Sequence, residues 1–158
     1  MEWEFLRAVL IAFGFPRWLV SKITECISSA YFFVFLNGEL AGFCSATKGL
    51  RQSDHLPLFL FVLAVEVFSS LIKAHTAKLR FKFHWRCGKS GITHLCFTDD
   101  VLLFSKSDPK LVKILIGTLS VFANVSGLKV NPAKIFAFMC AVDNATKEQL
   151  ITQTGFKP

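Results

Sequence analysis

The chain has 158 residues, enough for one domain with a hydrophobic core, and no linker or internal repeat divides it. Hydrophobic residues make up 53% of the chain and charged residues only 18%, which excludes a disordered protein. The net charge of +7 suits a polyanionic partner, either nucleic acid or an anionic membrane surface, and composition alone does not choose between these two.

The five cysteines favour a reducing, intracellular setting, because their number is odd and no Cys-x-x-Cys occurs. The first residues, "MEWEFLRAVLIAFGF", begin acidic and then follow a helical period. A signal peptide would instead show a basic stretch followed by an apolar core.

Residues 1–45 predict two short helices followed by a β-hairpin. Gly14 is expected to stop the first helix, and Pro16 to be the first residue of the second. Asn37-Gly38 is a strong hairpin signal, because both residues tolerate positive φ. The helix faces expected to be buried comprise Trp3, Leu6, Leu10 and Phe13 in the first helix, and Leu19, Ile23, Cys26 and Ile27 in the second.

The apolar stretch "LPLFLFVLAVEVFSSLI" predicts a buried helix from about His55 to His75, with Asp54 as its N-cap. Glu66 and two serines interrupt the stretch, which is also short for a membrane span of about 20 residues. A membrane-spanning helix is therefore the minor alternative, and the main prediction is a protein without a membrane partner.

Strands and helices alternate in the second half of the chain. Residues 79–85 alternate in hydrophobicity and predict a half-buried strand, and "ITHLCF" and "VLLFS" predict two more strands. Asp108-Pro109 is expected to begin a helix that Gly127 ends. Further expectations are a short strand at "IFAFMC" and a last helix that a Thr146–Gln149 capping box begins and Gly155 ends. The mixture of helices and hairpins predicts an α+β fold in one domain, residues 1–158.

Asp99 and Asp100 stand side by side between the two apolar runs. A divalent metal would remove the repulsion between two such carboxylates. Two metals held by carboxylates from separate strands can activate a 3′-hydroxyl and hold a leaving pyrophosphate, which is polymerase chemistry. The alternative is a surface turn that happens to contain two aspartates.

Basic and aromatic residues interleave just before this pair. Such a pattern can hold single-stranded nucleic acid by charge and by stacking. The alternative is the solvated face of a half-buried strand. The candidate nucleic-acid face comprises Arg80, Lys82, Arg86 and Lys89, which lie among Phe81, Phe83 and Trp85. Zinc is disfavoured, because the spacings of His84, Cys87, His94 and Cys96 are irregular.

Three segments together resemble the reverse transcriptases of non-LTR retrotransposons. "FTDDVLLF" is similar to the family's Phe-Ala-Asp-Asp box, and "GLRQSDHLPLFLFVLAVEVFS" to its Gly-Leu-Arg-Gln-Gly-Asp-Pro loop and helix. "VSGLKVNPAK" resembles the Ser-Gly-Leu-x-x-Asn-x-x-Lys segment that follows. The order and the spacing of the three segments are those of the family, and the resemblance spans nearly all of the chain. The motif residues are most similar to those of plant LINE elements.

This resemblance implies a polymerase palm, an antiparallel sheet backed by helices. Asp99 would be a metal ligand and Asp100 its neighbour at the same site, with Mg²⁺, or alternatively Mn²⁺, as the cofactor. The implied partners are an RNA template, a DNA primer and deoxynucleotides, and a nuclear location follows only from the family's habit of copying into chromosomal DNA.

The same resemblance assigns roles to five further residues. Gly49, Arg51 and Gln52 would lie along the template and the incoming nucleotide. Asn131 and Lys134 would lie near the phosphates of the nucleotide, where Lys134 would assist the leaving pyrophosphate.

The chain also departs from the family's pattern. Another metal-binding Asp of the family precedes the segment that aligns with Glu2, and this chain starts at Met1. We therefore expect a degenerate, truncated copy that lacks the fingers and most of the thumb and does not polymerise alone. Residues that differ from those of the family are Ser53, His55, Pro57-Leu58, Thr98 and Ile135.

Overall fold

A computed structural model describes residues 1–51, 55–78, 81–97 and 100–156 of the chain. The described helices are α1 (Trp3–Ala12), α2 (Arg17–Ser28), α3 (His55–Lys78), α4 (Pro109–Ser126) and α5 (Asn144–Thr154), with a 3-10 turn η1 at Pro132–Lys134. The described strands are β1 (Tyr31–Leu36), β2 (Glu39–Ser45), β3 (His94–Phe97) and β4 (Asp100–Leu103).

The chain divides into two compact units. The first unit comprises Met1–Val67 and Asn124–Leu128, and the second comprises Phe68–Ala123 and Lys129–Pro158. Each described sheet is an antiparallel pair, β1 with β2 and β3 with β4. Helices combined with two small antiparallel sheets confirm the predicted α+β class, and they are consistent with a partial palm-like domain.

The core of the first unit lies between α1, α2 and the beginning of α3. Its buried cluster consists of Leu6, Leu10, Val20, Ile23 and Leu60. Leu6, Leu10 and Ile23 were predicted to be buried, and that prediction is confirmed.

Three details of these two helices were predicted wrongly. Phe13 and Cys26 are exposed, because Phe13 lies beyond the end of α1 and Val20 takes the buried position on α2. Pro16 is the N-cap of α2, with extended backbone, and Arg17 is the first helical residue.

The β1–β2 hairpin turns at the predicted dipeptide. Asn37 and Gly38 have φ angles of 50° and 89°, both in the left-handed region that this tight turn needs. The register shifts between Phe33 and Val34, opposite Gly42, whose φ of 76° accommodates the extra residue of a bulge. Both faces of the hairpin are largely open to solvent.

The core of the second unit centres on the contact between α3 and α4. Phe68 is fully buried, and its ring centroid lies 5.2 Å from that of Phe122. Thr118 is buried on α4 together with Leu111 and Leu115, while Leu119 is half-buried. Thr118 is satisfied there, because its Oγ1 donates to the Ile114 carbonyl at 2.9 Å and contacts His75 Nδ1 at 2.7 Å.

Two predicted strands do not form. Residues 81–84 have no regular structure, and residues 85–91 form a turn. In the region of "IFAFMC", Phe136 forms an isolated bridge and no strand follows it. Alternation in hydrophobicity does not make a strand unless a neighbouring strand supplies a full set of backbone hydrogen bonds.

The last helix begins one turn earlier than the predicted capping box. Asp143 is the N-cap of α5, and its Oδ2 accepts a hydrogen bond from the Thr146 backbone N–H at 2.9 Å. This hydrogen bond lowers the pKa of Asp143 below the usual aspartate range. Gly155 ends the helix in a left-handed conformation (φ 67°), as the sequence predicted.

Candidate nucleotidyl-transfer site

Asp100 is the first residue of β4, and it pairs with Phe97, the last residue of β3. It is exposed to solvent. Thr98 and Asp99 lie outside the described residues. The second aspartate of the pair therefore lies at the end of an antiparallel strand pair, where a carboxylate can reach a ligand from solvent.

The base of this hairpin is fixed to α3. His94 Nε2 lies 2.9 Å from the Ser69 hydroxyl, and His94 Nδ1 lies 3.0 Å from the Thr93 hydroxyl. The ring of Phe68 meets the His94 ring edge to face, with centroids 5.7 Å apart. The Phe104 N–H donates to the Thr93 carbonyl at 2.8 Å, which extends the hairpin past β4. Because Asp100 pairs with Phe97 on this anchored strand, the anchor also supports the position of Asp100.

Cys96 does not share the half-buried environment of His94, although the two alternate on one strand. Cys96 is exposed by surface area, yet desolvation by its neighbours raises the pKa of its thiol. Reactive cysteines have a lowered pKa, so this upward shift gives no sign of activation at Cys96.

Gly49 of the Gly-Leu-Arg segment is held by the first three residues of the chain. The Gly49 N–H donates to the Met1 carbonyl at 2.8 Å, and the Trp3 indole N–H donates to the Gly49 carbonyl at 2.7 Å. Gly49 has a φ of 90°, which a residue with a side chain rarely adopts. Leu50 packs on the core of the first unit, Arg51 is exposed, and Gln52 lies outside the described residues.

The Ser-Gly-Leu segment reaches the same N-terminal residues within the first unit. The Glu2 N–H donates to the Ser126 carbonyl at 2.8 Å, and the Ser126 hydroxyl accepts from the Leu128 N–H at 3.2 Å. Gly127 has a φ of 70°, and a Cβ there would lie 2.8 Å from Glu2 Cγ. Backbone angle and close approach therefore both require glycine at this position.

Sequence reasoning did not foresee that these two segments meet at Met1–Trp3. They are separated by more than 70 residues, and only tertiary structure brings them together. The one signal in the sequence was Trp3, because a half-buried indole N–H normally finds an acceptor.

Asn131 and Lys134 form the two ends of η1 in the second unit. The Asn131 side-chain oxygen accepts from the Ala133 N–H at 3.0 Å, so this amide begins the turn. The Lys134 N–H donates to the Asn131 carbonyl at 3.0 Å, and the Lys134 side chain is exposed. The structure gives Asn131 a capping role and leaves the Lys134 ammonium accessible to an anion.

Lys82, Arg86 and Lys89 of the candidate nucleic-acid face are exposed, and Arg80 lies outside the described residues. The Arg86 guanidinium carbon lies 4.6 Å from the centroid of the Trp85 ring, a cation–π contact. The predicted half-buried strand is absent here, so these cations belong to a loop and a turn.

The family model for "Reverse transcriptase (RNA-dependent DNA polymerase)" matches residues 1–157. The chain belongs to the reverse transcriptase family. A curated relative, an uncharacterized mitochondrial protein of Arabidopsis thaliana, is 34% identical over 71 residues, which are 44% of this chain. The chain spans 58% of the length of that relative. The predicted resemblance to reverse transcriptases is thereby confirmed, and membership implies a nucleic-acid template, nucleotide substrates and a divalent metal in the family at large.

The metal ligands of a reverse transcriptase are carboxylates, so the described residues can be tested for such a set. Within the described ranges, no three His, Cys, Asp or Glu side chains gather into a group that could hold a metal ion. His84, Cys87, His94 and Cys96 are all described, and they do not form a zinc cluster within that part of the chain.

Two helices of this reverse transcriptase domain are long and apolar enough to cross a membrane. They are residues 55–77 of α3 and the whole of α4, and less than a third of each stretch is buried. This result rests on helix length and apolar composition alone. The core helices of soluble proteins meet the same two criteria. Glu66, in the middle of α3, is exposed and has a polar or ring contact of its own.

Proposed function

We propose that this chain is the palm portion of the reverse transcriptase of a plant LINE-type retrotransposon, with residues 1–158 forming one partial domain. The observation that carries the proposal is the family match over residues 1–157, combined with the three motif segments in the family's order. The plant assignment is supported by the Arabidopsis thaliana relative and by the similarity of the motif residues to those of plant LINE elements.

The proposed ligands are an RNA template, a DNA primer and deoxynucleotides. Gly49, Arg51 and Gln52 are proposed to lie along the template and nucleotide, and Asn131 and Lys134 near the nucleotide phosphates. The exposed ammonium of Lys134 supports the last of these roles. The loop that carries Arg51 is held in place by the hydrogen bonds at Gly49, which supports a preformed binding surface.

Asp99 and Asp100 are the proposed contacts for Mg²⁺, with Mn²⁺ as the alternative. In the family, such an ion lowers the barrier for attack by a primer hydroxyl. We further propose that this chain alone does not extend primers, because Ser53, His55 and Ile135 replace residues of the family's pattern. Asp100 contributes an exposed carboxylate at a hairpin end.

Primer extension on an RNA template tests both parts of this proposal. The chain is compared with Asp99→Ala and Asp100→Ala, with Mg²⁺ and separately with Mn²⁺. Glu148→Gln removes an exposed carboxylate on α5 and is the matched control. We expect no extension by any variant. Extension that is retained in Glu148→Gln and lost in Asp100→Ala would contradict the proposed inactivity and establish a working site.

Nucleic-acid binding without turnover is the second candidate function. The exposed cations at Lys82, Arg86 and Lys89 favour it. Retention of labelled primer–template by a chain that fails to extend it would support this candidate.

A third candidate, a membrane-associated protein, has only the length and apolar composition of α3 and α4 in its favour. Recovery of the expressed chain in the membrane fraction would support it.

A further inference from the structure

The positive charge of the chain is concentrated in one stretch. Residues 67–98 contain no Asp or Glu and six basic residues, so this stretch carries a formal charge of +6 within a chain whose net charge is +7. Such an imbalance produces a local positive potential, which draws a polyanion to this part of the surface. The six basic residues are Lys73, Lys78, Arg80, Lys82, Arg86 and Lys89.

Between residues 82 and 89, this stretch combines exposed cations with an open aromatic ring. Trp85 is 77% exposed. Lys82, Arg86 and Lys89 are exposed as well, and within the described ranges none of the three forms an ion pair with a carboxylate. We name these four residues, Lys82, Trp85, Arg86 and Lys89, the Trp85 surface.

The local backbone explains why the indole stays open. Residues 85–91 form a turn, so no neighbouring strand covers the ring. The Arg86 guanidinium lies against the ring at 4.6 Å and gives one cation a fixed place beside it. Phe81 and Phe83, just before the turn, are instead half-buried and meet edge to face at 5.2 Å. Of the aromatic rings in residues 81–85, the fold therefore partly buries Phe81 and Phe83 and leaves Trp85 open to a ligand.

We propose that the Trp85 surface binds single-stranded nucleic acid, with one base stacked on the Trp85 ring and phosphates on Lys82, Arg86 and Lys89. Aromatic faces accept any base, and cations along the backbone supply affinity that depends on salt. This inference rests on the nucleic-acid partner of the proposed function, and it requires neither a metal ion nor polymerisation.

The chemistry favours a single strand over a duplex or a membrane. The bases of a duplex are already stacked on one another, so they cannot reach an indole from outside. Insertion into a membrane relies on several apolar residues together, whereas Trp85 has the polar neighbours Arg86, Lys89 and Ser90. An open cavity of 430 Å³ is lined partly by Phe83, Gly91 and Ile92, which precede and follow Trp85 in the sequence.

Fluorescence anisotropy of a fluorescein-labelled 16-nucleotide oligouridylate tests this proposal, in EDTA so that metal-dependent reactions are absent. Trp85→Ala is compared with Trp18→Ala, whose ring on α2 is similarly open at 70% exposed. We expect Trp85→Ala to weaken binding about ten-fold or more, and Trp18→Ala to leave it within about two-fold. Trp85→Phe keeps an aromatic face and is expected to retain most of the affinity.

The contribution of charge is tested with two double variants. Lys82→Gln with Lys89→Gln removes two charges from the Trp85 surface, and Lys110→Gln with Lys113→Gln removes two exposed charges from α4. We expect the first pair to reduce the slope of log affinity against log salt by about 0.7 for each phosphate that the variant no longer neutralises. The second pair should leave the slope unchanged.

The outcomes separate this inference from the proposed function. If the unmodified chain binds the oligonucleotide and Trp85→Ala binds as well as Trp18→Ala, the inference fails and the proposed function stands. If the unmodified chain binds no nucleic acid, both fail. Binding of a duplex as tight as that of the single strand would overturn the stacking proposal. Binding only to phosphatidylserine vesicles would overturn it in favour of a membrane surface. Circular dichroism identical to that of the unmodified chain ensures that a loss of binding is not a loss of folding.

Discussion

The two β-hairpins of this chain are held in place in different ways. The β1–β2 hairpin has longer strands, and its ring contacts are internal, with Tyr31 stacked on Phe43 at 4.7 Å. The β3–β4 hairpin has strands of four residues, and its His94 is hydrogen-bonded to Ser69 on α3. The first hairpin is thus a product of its own sequence, whereas the second depends on a helix that lies earlier in the chain.

This difference indicates which hairpin can hold its side chains in fixed positions. The anchored hairpin contains Asp100, the described member of the aspartate pair that resembles the family's catalytic box. Short strands alone are marginally stable in water, so the contact with α3 is what holds this pair of strands together. Variants that weaken the anchor should therefore affect the second hairpin far more than any change of similar size affects the first.

The largest effect is expected from Phe68→Ala. Phe68 is 1% exposed and contacts both Phe122 and His94, so its removal should lower the free energy of unfolding by about 3–5 kcal/mol. Phe43→Ala on the first hairpin is the matched control, since Phe43 is 64% exposed and should cost about 1.5 kcal/mol or less. Urea denaturation measures both. Equal losses would contradict the view that the two hairpins are held differently.

A smaller effect is expected from Ser69→Ala. Loss of the Ser69 hydroxyl removes a partner from His94 in a poorly hydrated place, which should cost about 1–3 kcal/mol. Ser70→Ala changes the adjacent, exposed serine of α3 and should be nearly neutral. Hydrogen exchange at the amides of β3 and β4 reports whether the hairpin loosens. Faster exchange in Ser70→Ala than in Ser69→Ala would contradict the anchor.

The turn of the first hairpin is tested by Gly38→Ala. The φ of 89° at Gly38 disfavours a residue with Cβ, so the variant should lose about 1–2 kcal/mol. Gly117→Ala is the opposite case, since nothing lies within 4 Å of a Cβ there and the residue is inside α4. That variant should gain up to about 1 kcal/mol in helix propensity. Thermal denaturation that ranked the two variants in the reverse order would refute this account of the turn.

The smallest effect is expected at α5, outside both hairpins. Asp143 accepts the Thr146 N–H, and this bond lowers the pKa of its carboxyl below the ordinary aspartate value. The stabilisation is therefore fully present above the ordinary value, near pH 4, and disappears as the pH falls through the lowered pKa. Asp143→Ala should reduce protection of the first amides of α5 at pH 7 and remove the difference between pH 7 and strong acid. Unchanged protection of these amides would show that the cap contributes nothing.

Local sequence chemistry predicted much of the fold. Asn37-Gly38 specified the first turn, Asp108-Pro109 the beginning of α4, and Gly127 and Gly155 the ends of two helices. Each of these signals acts within a few residues, so the neighbouring sequence is sufficient to predict it.

The features that the sequence did not predict depend on distant partners. The alternation of residues 81–84 looked like a strand, but their backbone has no regular pairing in the structure. The burial of Thr118 depends on His75, and the position of Gly49 depends on Trp3, 46 residues away. Hydrophobic period and propensity contain no information about such pairs, because they describe one segment at a time.

The sequence predicted which residues belong to the candidate site better than it predicted how they are arranged. The motifs indicated Asp99 and Asp100 as a pair, and the structure describes Asp100 at the end of a hairpin with Asp99 outside the described residues. Asn131 was expected near nucleotide phosphates, and its side-chain oxygen caps a turn. A motif specifies which residues to examine, and the hydrogen bonds then decide which side-chain atoms remain available for a ligand.

The most direct test of the account is primer extension by the unmodified chain and Asp100→Asn on an RNA template with Mg²⁺. A labelled template shows in the same reaction, by anisotropy, that nucleic acid is bound. The account predicts bound template and no added nucleotides for either protein. Nucleotide addition by the unmodified chain that is lost in Asp100→Asn would contradict it, because the chain would then contain a complete catalytic site.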